Sequence, residues 1–420
     1  MTKFTDLKLN EKIQKALVDK GYTEPTPIQA QAIPDLLNKK DLLGIAQTGT
    51  GKTAAFSLPL LHNLEESNVK TSRNNCRALI LTPTRELASQ IEANILGYSK
   101  YLRFSTRVIF GGVSEKPQIA ALNNGIDIVV ATPGRLLDLI GQRKIKFDQL
   151  ETFILDEADR MLDMGFLNDV KKIVKMIPKK RHTLLFSATM PSEIKKLAMD
   201  LLVNPKKVEI TPESTTVEKI DQSLLFVEKS DKRRLLERVL EDKEITKALV
   251  FSRTKHGADR IVKNLTQAKV SSVAIHGNKS QGARERALSE FTSGKSRVLV
   301  ATDIAARGID IKDVSHIINF NLPEDSESYV HRIGRTARAG KSGIAISFCD
   351  GTELKLLKDI EKTIGMEIPK NTDHAFHTDR KDLTPAAPKA PRGQSSRGQS
   401  PRTKPSKDQS RKKQQKRSRN

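Results

Sequence analysis

Along most of the chain, short apolar runs of about four to six residues alternate with longer stretches whose apolar positions recur at helical spacing. A run that is apolar throughout is a strand buried on both faces, as in a parallel sheet covered by helices. The pattern predicts strands in the first half at Leu42–Ile45, Ala78–Leu81, Arg107–Phe110, Asp127–Ala131, Phe153–Leu155 and Thr183–Phe186. In the second half it predicts them at Leu224–Val227, Ala248–Phe251, Val273–Ile275, Val298–Val300, His316–Phe320 and Ile344–Phe348. Between the two sets lies ITPESTTVEK, residues 210–219, which is polar, contains proline and lacks periodicity, and so reads as a linker. The halves echo each other. ALILTPTREL and IVVATPGR in the first match ALVFSRTKHG and VLVATDIAARG in the second, in the same order, which points to a duplicated α/β unit.

The chemistry is concentrated just beyond the strands. Ile45 runs into AQTGTGKT, Leu81 into TPTREL, Phe110 into GG, Ala131 into TPGR, Leu155 into DEAD and Phe186 into SAT. In the second half Phe251 runs into SRT, Ile275 into HG and Val300 into ATDIAARGID. Ligands of open α/β sheets bind beyond the carboxyl ends of the strands. Ordinary turns would account for the glycines and prolines there, but not for so many Arg, Asp and Thr at the same edge in both halves.

Composition narrows the partner. Of 420 residues, 73 are Lys or Arg and 50 are Asp or Glu, a net charge of +23, which points to a polyanion. Residues 381–420 hold thirteen Lys/Arg and two acids, with no aromatic and no β-branched aliphatic residue. Such a segment cannot bury enough surface to offset its ordering entropy, so 369–420 is expected to be a disordered basic tail that tethers nucleic acid. No apolar stretch approaches a membrane span and no apolar leader is visible, so neither a membrane protein nor a secreted one is expected. Two distant cysteines, Cys76 and Cys349, speak against a disulfide scaffold or a cysteine zinc site and for a reducing, cytoplasmic setting.

AQTGTGKT (46–53) fits a phosphate-binding loop, with Ala46 where the general pattern has its first glycine. Gly49 and Gly51 free the backbone N–H groups to face phosphate oxygens, Lys52 reaches the β- and γ-phosphates, and Thr53 offers its hydroxyl to Mg²⁺. The remaining loop residues Gln47, Thr48 and Thr50 complete the cradle. Asp156 and Glu157 emerge from the apolar strand 153–155, where one acid can hold the Mg²⁺ shell and the other polarise the attacking water. HRIGRTAR (331–338) sets Arg332, Arg335 and Arg338 at three-residue steps, roughly one helical face, as expected for an arginine finger from the second half. The catalytic site would then be split between the halves.

Taken together, these segments resemble the DEAD-box RNA helicases. Phe4 with GYTEPTPIQ (21–29) looks like the Q motif; after it come AQTGTGKT, PTRELA (83–88), GG (111–112), TPGR, DEAD (156–159), SAT (187–189), VFSRT (250–254), HGNKSQGARERAL (276–288), ATDIAARGID (301–310) and HRIGRTARAG (331–340). The match covers about residues 1–365, and the short loops with ILDEADRMLDMGF (154–166) look similar to the bacterial RhlE-type subgroup. The resemblance implies two RecA-like α/β domains, 1–209 and 220–368, binding ATP and Mg²⁺ in an RNA-dependent ATP hydrolase that unwinds RNA duplexes locally. It implies that Gln29 reads adenine, Phe4 stacks on it, Pro25 and Thr26 shape that pocket, and Asp310 contacts the ribose. Arg335 and Arg338 would meet the γ-phosphate, and Ser187, Thr189 and Asp159 would couple hydrolysis to strand separation. Thr84, Arg85, Gly111, Gly112, Thr132 and Arg135 would hold the RNA backbone in the first domain, and Arg253, Gly277, Gln281, Arg284 and Thr302 in the second. The scarcity of aromatics, with no Trp and four Tyr, agrees with backbone contacts and little base stacking. A DNA-dependent ATPase and an ATP-driven RNA clamp remain as rivals. A place in a ribosome-assembly or RNA-decay complex is a further expectation.

Overall fold

The computed structural model describes residues 3–47, 49–210, 220–306, 311, 314–336 and 343–383. Thr48, Asp310, Arg338, the linker beyond residue 210 and the tail from 384 lie outside the described residues.

The first seven strands are β1 (Leu42–Ile45), β2 (Cys76–Leu81), β3 (Thr106–Ile109), β4 (Ile126–Ala131), β5 (Thr152–Leu155), β6 (His182–Ser187) and β7 (Lys206–Glu209). They form one parallel sheet in the order β3-β4-β2-β5-β6-β1-β7. Helices cover both faces. Alternate residues of a strand point to opposite faces, so Ile80, Ile128 and Ile154 enter one core while Leu79, Val129 and Phe153 enter the other. Six of the strands lie where the apolar runs predict them. The exception, β7, reads Lys-Lys-Val-Glu, and only Val208 is buried. With one inward residue, this edge strand leaves no apolar run to detect. Close packing sets local sequence too: Gly44 of β1 pairs with Phe186 of β6, and a Cβ on Gly44 would lie 2.5 Å from the Phe186 ring. That ring packs on Phe56 of the helix after the phosphate loop, with centroids 5.5 Å apart.

The second sheet holds β8 (Ile220–Phe226), β9 (Ala248–Phe251), β10 (Ser272–Ile275), β11 (Val298–Ala301), β12 (His316–Asn319) and β13 (Gly343–Cys349). It is also parallel, ordered β10-β11-β9-β12-β13-β8, with an apolar core on each face. Both sheets belong to one compact unit, residues 1–384.

The boundary drawn at residue 368 requires correction. Residues 369–383 lie along β8: Leu224 donates its N–H to the Pro369 carbonyl at 2.8 Å, Asn371 to Leu224 at 2.9 Å and Thr378 to Phe226 at 3.3 Å. Leu383 is 3% exposed in the core, and Phe376 packs on the opposite face. β8 is an edge strand, and this strap satisfies backbone groups that would otherwise be open. The segment is too polar to announce itself, because two anchors and backbone bonds hold it.

Truncation after residue 368 is therefore expected to lower the melting temperature by about 5 °C or more and to promote aggregation, since it uncovers an edge and removes a buried leucine. Truncation after residue 383 should leave the melting temperature unchanged. Thermal unfolding of the two shortened chains checks both.

Candidate active site and nucleic-acid interface

The loop after β1 is held from both sides. Ala46 donates its N–H to the Ser187 carbonyl at 3.0 Å, tying it to the end of β6. Gly49 and Gly51 adopt φ of 87° and 95°, values that side chains disfavour, and Gly51 caps the Lys52–Ser67 helix. Thr50 Oγ1 donates to the Gln47 carbonyl at 2.8 Å. Lys52 is 6% exposed, and its Nζ donates to the Ala46 carbonyl at 2.8 Å, within the curl of the loop. Thr53 sits in the first helical turn, where orphan N–H groups and the helix dipole favour an anion. Gln29 Nε2 donates to the Gly51 carbonyl at 3.1 Å, while its Oε1 accepts from the Thr26 N–H at 3.0 Å in a capping box. Gln29 thus ties the Pro27–Leu37 helix to the phosphate loop, and a Cβ on Gly51 would collide with it. Phe4 is buried beside Tyr22, ring centroids 6.0 Å apart, in the same core as this helix.

At the end of β5, Asp156 and Glu157 are 2% and 5% exposed. Burial raises the Asp156 carboxyl to about 7, against the pull of Lys52 and with a push from Glu157. Glu157 has a φ of 54°, a left-handed turn that lets it cap the next helix, and its carboxylate pairs with Arg160 one turn on. Asp159 binds the end of β6: Oδ2 accepts from the Ala188 N–H at 3.1 Å, the Thr189 N–H at 2.8 Å and Thr189 Oγ1 at 3.0 Å, while Ser187 Oγ accepts from the Asp159 N–H at 3.1 Å. The DEAD and SAT segments therefore form one hydrogen-bonded unit.

The arginine run of the second domain does not share one helical face. The Ser326–Ile333 helix stops at Gly334. Arg332 is internal: it grips Asp303 through two bonds of 2.6 and 2.7 Å, reaches Asn319 and the Asn321 carbonyl, and lies over the Phe251 ring. A satisfied guanidinium of this kind anchors the fold. Arg335, beyond the helix end, is 4% exposed and lines a cavity of about 360 Å³ together with Gln47, Lys52, Glu157 and Thr189 of the first domain.

A second gathering forms after β2, β3 and β4. The Arg85 guanidinium lies over Gly112, whose φ of 76° and missing side chain make room for it. Burial, then Arg284 and Arg135, hold the Arg85 pKa below its usual value. Arg135 Nη2 donates to the Val113 carbonyl at 3.1 Å, bridging TPGR and the turn at Gly111 and Gly112. Thr84 and Thr132 stand at helix N-caps, and Thr84 Oγ1 accepts from the Leu87 N–H. From the second domain, Arg284 pairs with Glu86 at 2.8 Å. Gln281 donates to Glu285, leaving its Oε1 buried without a partner. Arg253 is held elsewhere, by Glu353 at 2.7 Å and the Leu322 carbonyl. Gly277 is exposed after β10, and Thr302 opens the turn after β11 with its carbonyl accepting from Ala305 and Ala306.

Comparison with known proteins agrees with this geometry. The DEAD/DEAH box helicase family matches residues 26–197, and the helicase conserved C-terminal domain matches 231–340. The ATP-dependent RNA helicase CshA of Listeria monocytogenes is 45% identical over 365 residues, 86% of this chain and 69% of that protein. The DEAD-box helicase RhpA of Helicobacter pylori is 42% identical over 87% of this chain and 73% of its own length. Among solved structures, S. cerevisiae Dbp5 bound to RNA and ADP BeF3 superposes with a TM-score of 0.77 at 30% identity, covering 88% of this chain and 96% of that one. The chain belongs to the DEAD-box ATP-dependent RNA helicases. Its relatives here carry the names CshA and RhpA, so the RhlE-type expectation gains no support from them.

In this helicase, sequence reasoning missed the residues that hold the catalytic ones. Arg160 steadies Glu157, and the Glu157/Arg160 spacing at i, i+3 was its signal. Asp303, after β11, and Asn319, in β12, hold Arg332, and Glu86 holds Arg284 across domains. No local pattern marks those pairs.

The raised Asp156 pKa has a consequence for stability. The folded form binds this proton more tightly than the unfolded chain, so the group stabilises below about pH 4, and that contribution is lost as pH rises through about 7. In the metal-free protein, Asp156→Asn should therefore raise the melting temperature at pH 8 while removing ATPase activity. The gain should shrink as pH falls from 7 toward 4. Melting curves in chelator across that range check this sign.

Proposed function

We propose that the enzyme hydrolyses ATP in the cleft between its two domains, with Lys52 on the β- and γ-phosphates and Gln29, Thr26 and Phe4 at the adenine end. The observation that carries this reading is the single cavity lined by Lys52 and Glu157 from one domain and Arg335 from the other. The donors suit a Mg²⁺–nucleotide. Lys52 donates to the carbonyl of Ala46 within the loop, and a further cation beside Asp156 would reverse the push that burial gives its carboxyl. Thr53 and Asp156 would hold Mg²⁺, mainly through water, and the metal would supply charge neutralisation on the phosphates.

The chain's own groups supply the rest. Glu157, steadied by Arg160, orients the attacking water and takes its proton, so its carboxylate must be ionised and correctly aimed. Arg335, with Arg338 beside it in sequence, stabilises charge on the leaving phosphoryl group. Asp310 contacts the ribose, and Thr48 and Gly49 complete the phosphate cradle. Asp159 carries the state of the DEAD helix to Ser187 and Thr189, the coupling path.

RNA is held by its backbone across Thr84, Arg85, Gly111, Gly112, Thr132 and Arg135 on one domain and Gly277, Gln281, Arg284 and Thr302 on the other. The neighbouring Dbp5 structure contains RNA, which supports the assignment. Arg253 contributes through its exposed third, since Glu353 fixes its inner side. Single-stranded and duplex RNA are the substrates, and action within a ribosome-assembly or RNA-decay complex fits the basic charge. A cytoplasmic location fits two free buried cysteines and, among the described residues, the lack of a helix long and apolar enough to cross a membrane.

RNA-stimulated ATPase measurements test the split site. Lys52→Ala and Glu157→Gln should abolish turnover. Arg335→Ala should cost about 10³-fold in kcat while ATP binding changes little. An Arg335→Ala enzyme with normal kcat would overturn the reading.

A further inference from the structure

The strands of the first sheet end at the catalytic edge, and their opposite ends form a surface that hydrolysis does not use. There β6, β1 and β7 lie side by side, with Leu42 in register with Leu184 and Lys206. The segments entering them are Asn38-Lys39-Lys40, Lys179-Lys180-Arg181 and Asn204-Pro205-Lys206-Lys207. They are bound together: His182 Nε2 meets the Lys40 carbonyl at 2.8 Å, Lys206 donates its N–H to the Asp41 carbonyl at 2.8 Å, and the Asp41 carboxylate accepts from the Thr183 and Val203 N–H groups at 2.8 Å each. Lysines distant in sequence are thereby gathered on strands about 5 Å apart. Lys40 pairs with Asp35 and Lys207 with Glu209. Among the described residues, Lys39, Lys179, Lys180 and Lys206 are exposed and carry no ion pair. Acid is scarce: Asp41 is buried with its carboxylate taken by backbone N–H groups, and the exposed Glu209 is paired with Lys207.

We propose that this edge is a second RNA-backbone site, which takes phosphates of the RNA flanking the strand held in the cleft. Four free ammonium groups on flexible stems match a row of phosphates as point charges. The three segments contain no Phe, Tyr or Trp, so bases would not be stacked and sequence would not be read. The separation decides which RNA is involved. Strands of four to six residues are about 13–20 Å long, so a strand filling only the cleft does not reach this edge, whereas a long attached duplex does. An acidic protein surface would feel the same charges, but RNA held in the cleft brings its own phosphates here at high effective concentration. Lys39, Lys179 and Lys180 also come just after helices ending at Leu37 and Met176, where cations favour the helix dipole, and the experiment must separate that role.

The proposal rests on RNA occupying the cleft. The full-length protein is compared with a variant carrying Lys39→Gln, Lys179→Gln, Lys180→Gln and Lys206→Gln, and with a second in which the same four are changed to Arg. Two probes are titrated across a salt series: a short single strand that fills only the cleft, and the same strand joined to a long duplex. Short-strand affinity and its ATPase stimulation should be unchanged in all three proteins. Affinity for the extended probe should fall at least tenfold in the Gln variant and be kept in the Arg variant. The slope of log affinity against log salt should flatten by about 3, the contribution of four phosphate contacts. Unchanged affinity for the extended probe overturns the proposal; a lowered melting temperature beside it assigns the lysines to helix ends, and weaker competition by polyglutamate assigns them to an acidic protein. Equal loss on both probes also overturns it. A wild type that the short strand does not stimulate contradicts the cleft reading instead.

Discussion

Lys52, Asp156 and Glu157 are held almost wholly out of water at one edge of one sheet, and the site is arranged around that constraint. Buried charge is costly unless paired, and here each group is dealt with differently. Lys52 rests on a carbonyl of its own loop, Glu157 on Arg160, and Asp156 keeps its proton up to about pH 7 because the pull of Lys52 does not offset its burial. The glycines at 49 and 51, Gln29 on the loop and the left-handed turn at Glu157 give these groups a fixed geometry.

From this edge the structure passes outward through Asp159. One carboxylate oxygen receives three bonds from Ala188 and Thr189, so the helix after the catalytic acids cannot shift without disturbing the end of β6. The end of β6 in turn accepts the Ala46 N–H. Phosphate loop, acids and SAT segment thus form a closed circuit within the first domain. The second domain meets it through Arg335 at the cavity and through the Arg284–Glu86 pair beside the cluster of Arg85 and Arg135. The proposed hydrolytic and RNA-binding residues therefore meet along one boundary between the domains.

The parallel sheets were legible because a strand buried on both faces must be apolar throughout, and the phosphate loop because few residue types fit its turn. β7 was hidden because it buries one residue in four, and the strap 369–383 because backbone bonds and two apolar anchors hold it. The even spacing of Arg332, Arg335 and Arg338 misled, since a glycine ends the helix among them and Arg332 faces inward to Asp303. Spacing reports a face only while the helix lasts. The supporting partners Asp303, Glu86 and Glu353 were invisible for a different reason: each meets its arginine across a long stretch of chain, and a single sequence does not record that distance.

The account stands on a catalytic site that is complete only when both domains contribute to it. The most direct measurement is the distance between the domains, read by energy transfer between dyes at Val18→Cys and Gln267→Cys, both exposed positions, while the native cysteines are buried. Glu157→Gln holds the enzyme before hydrolysis. The distance should shorten when ATP and RNA are present together and stay unchanged with either alone. An unchanged distance with both, when the same labelled protein with Glu157 intact keeps an ATPase that responds to RNA, would contradict the account.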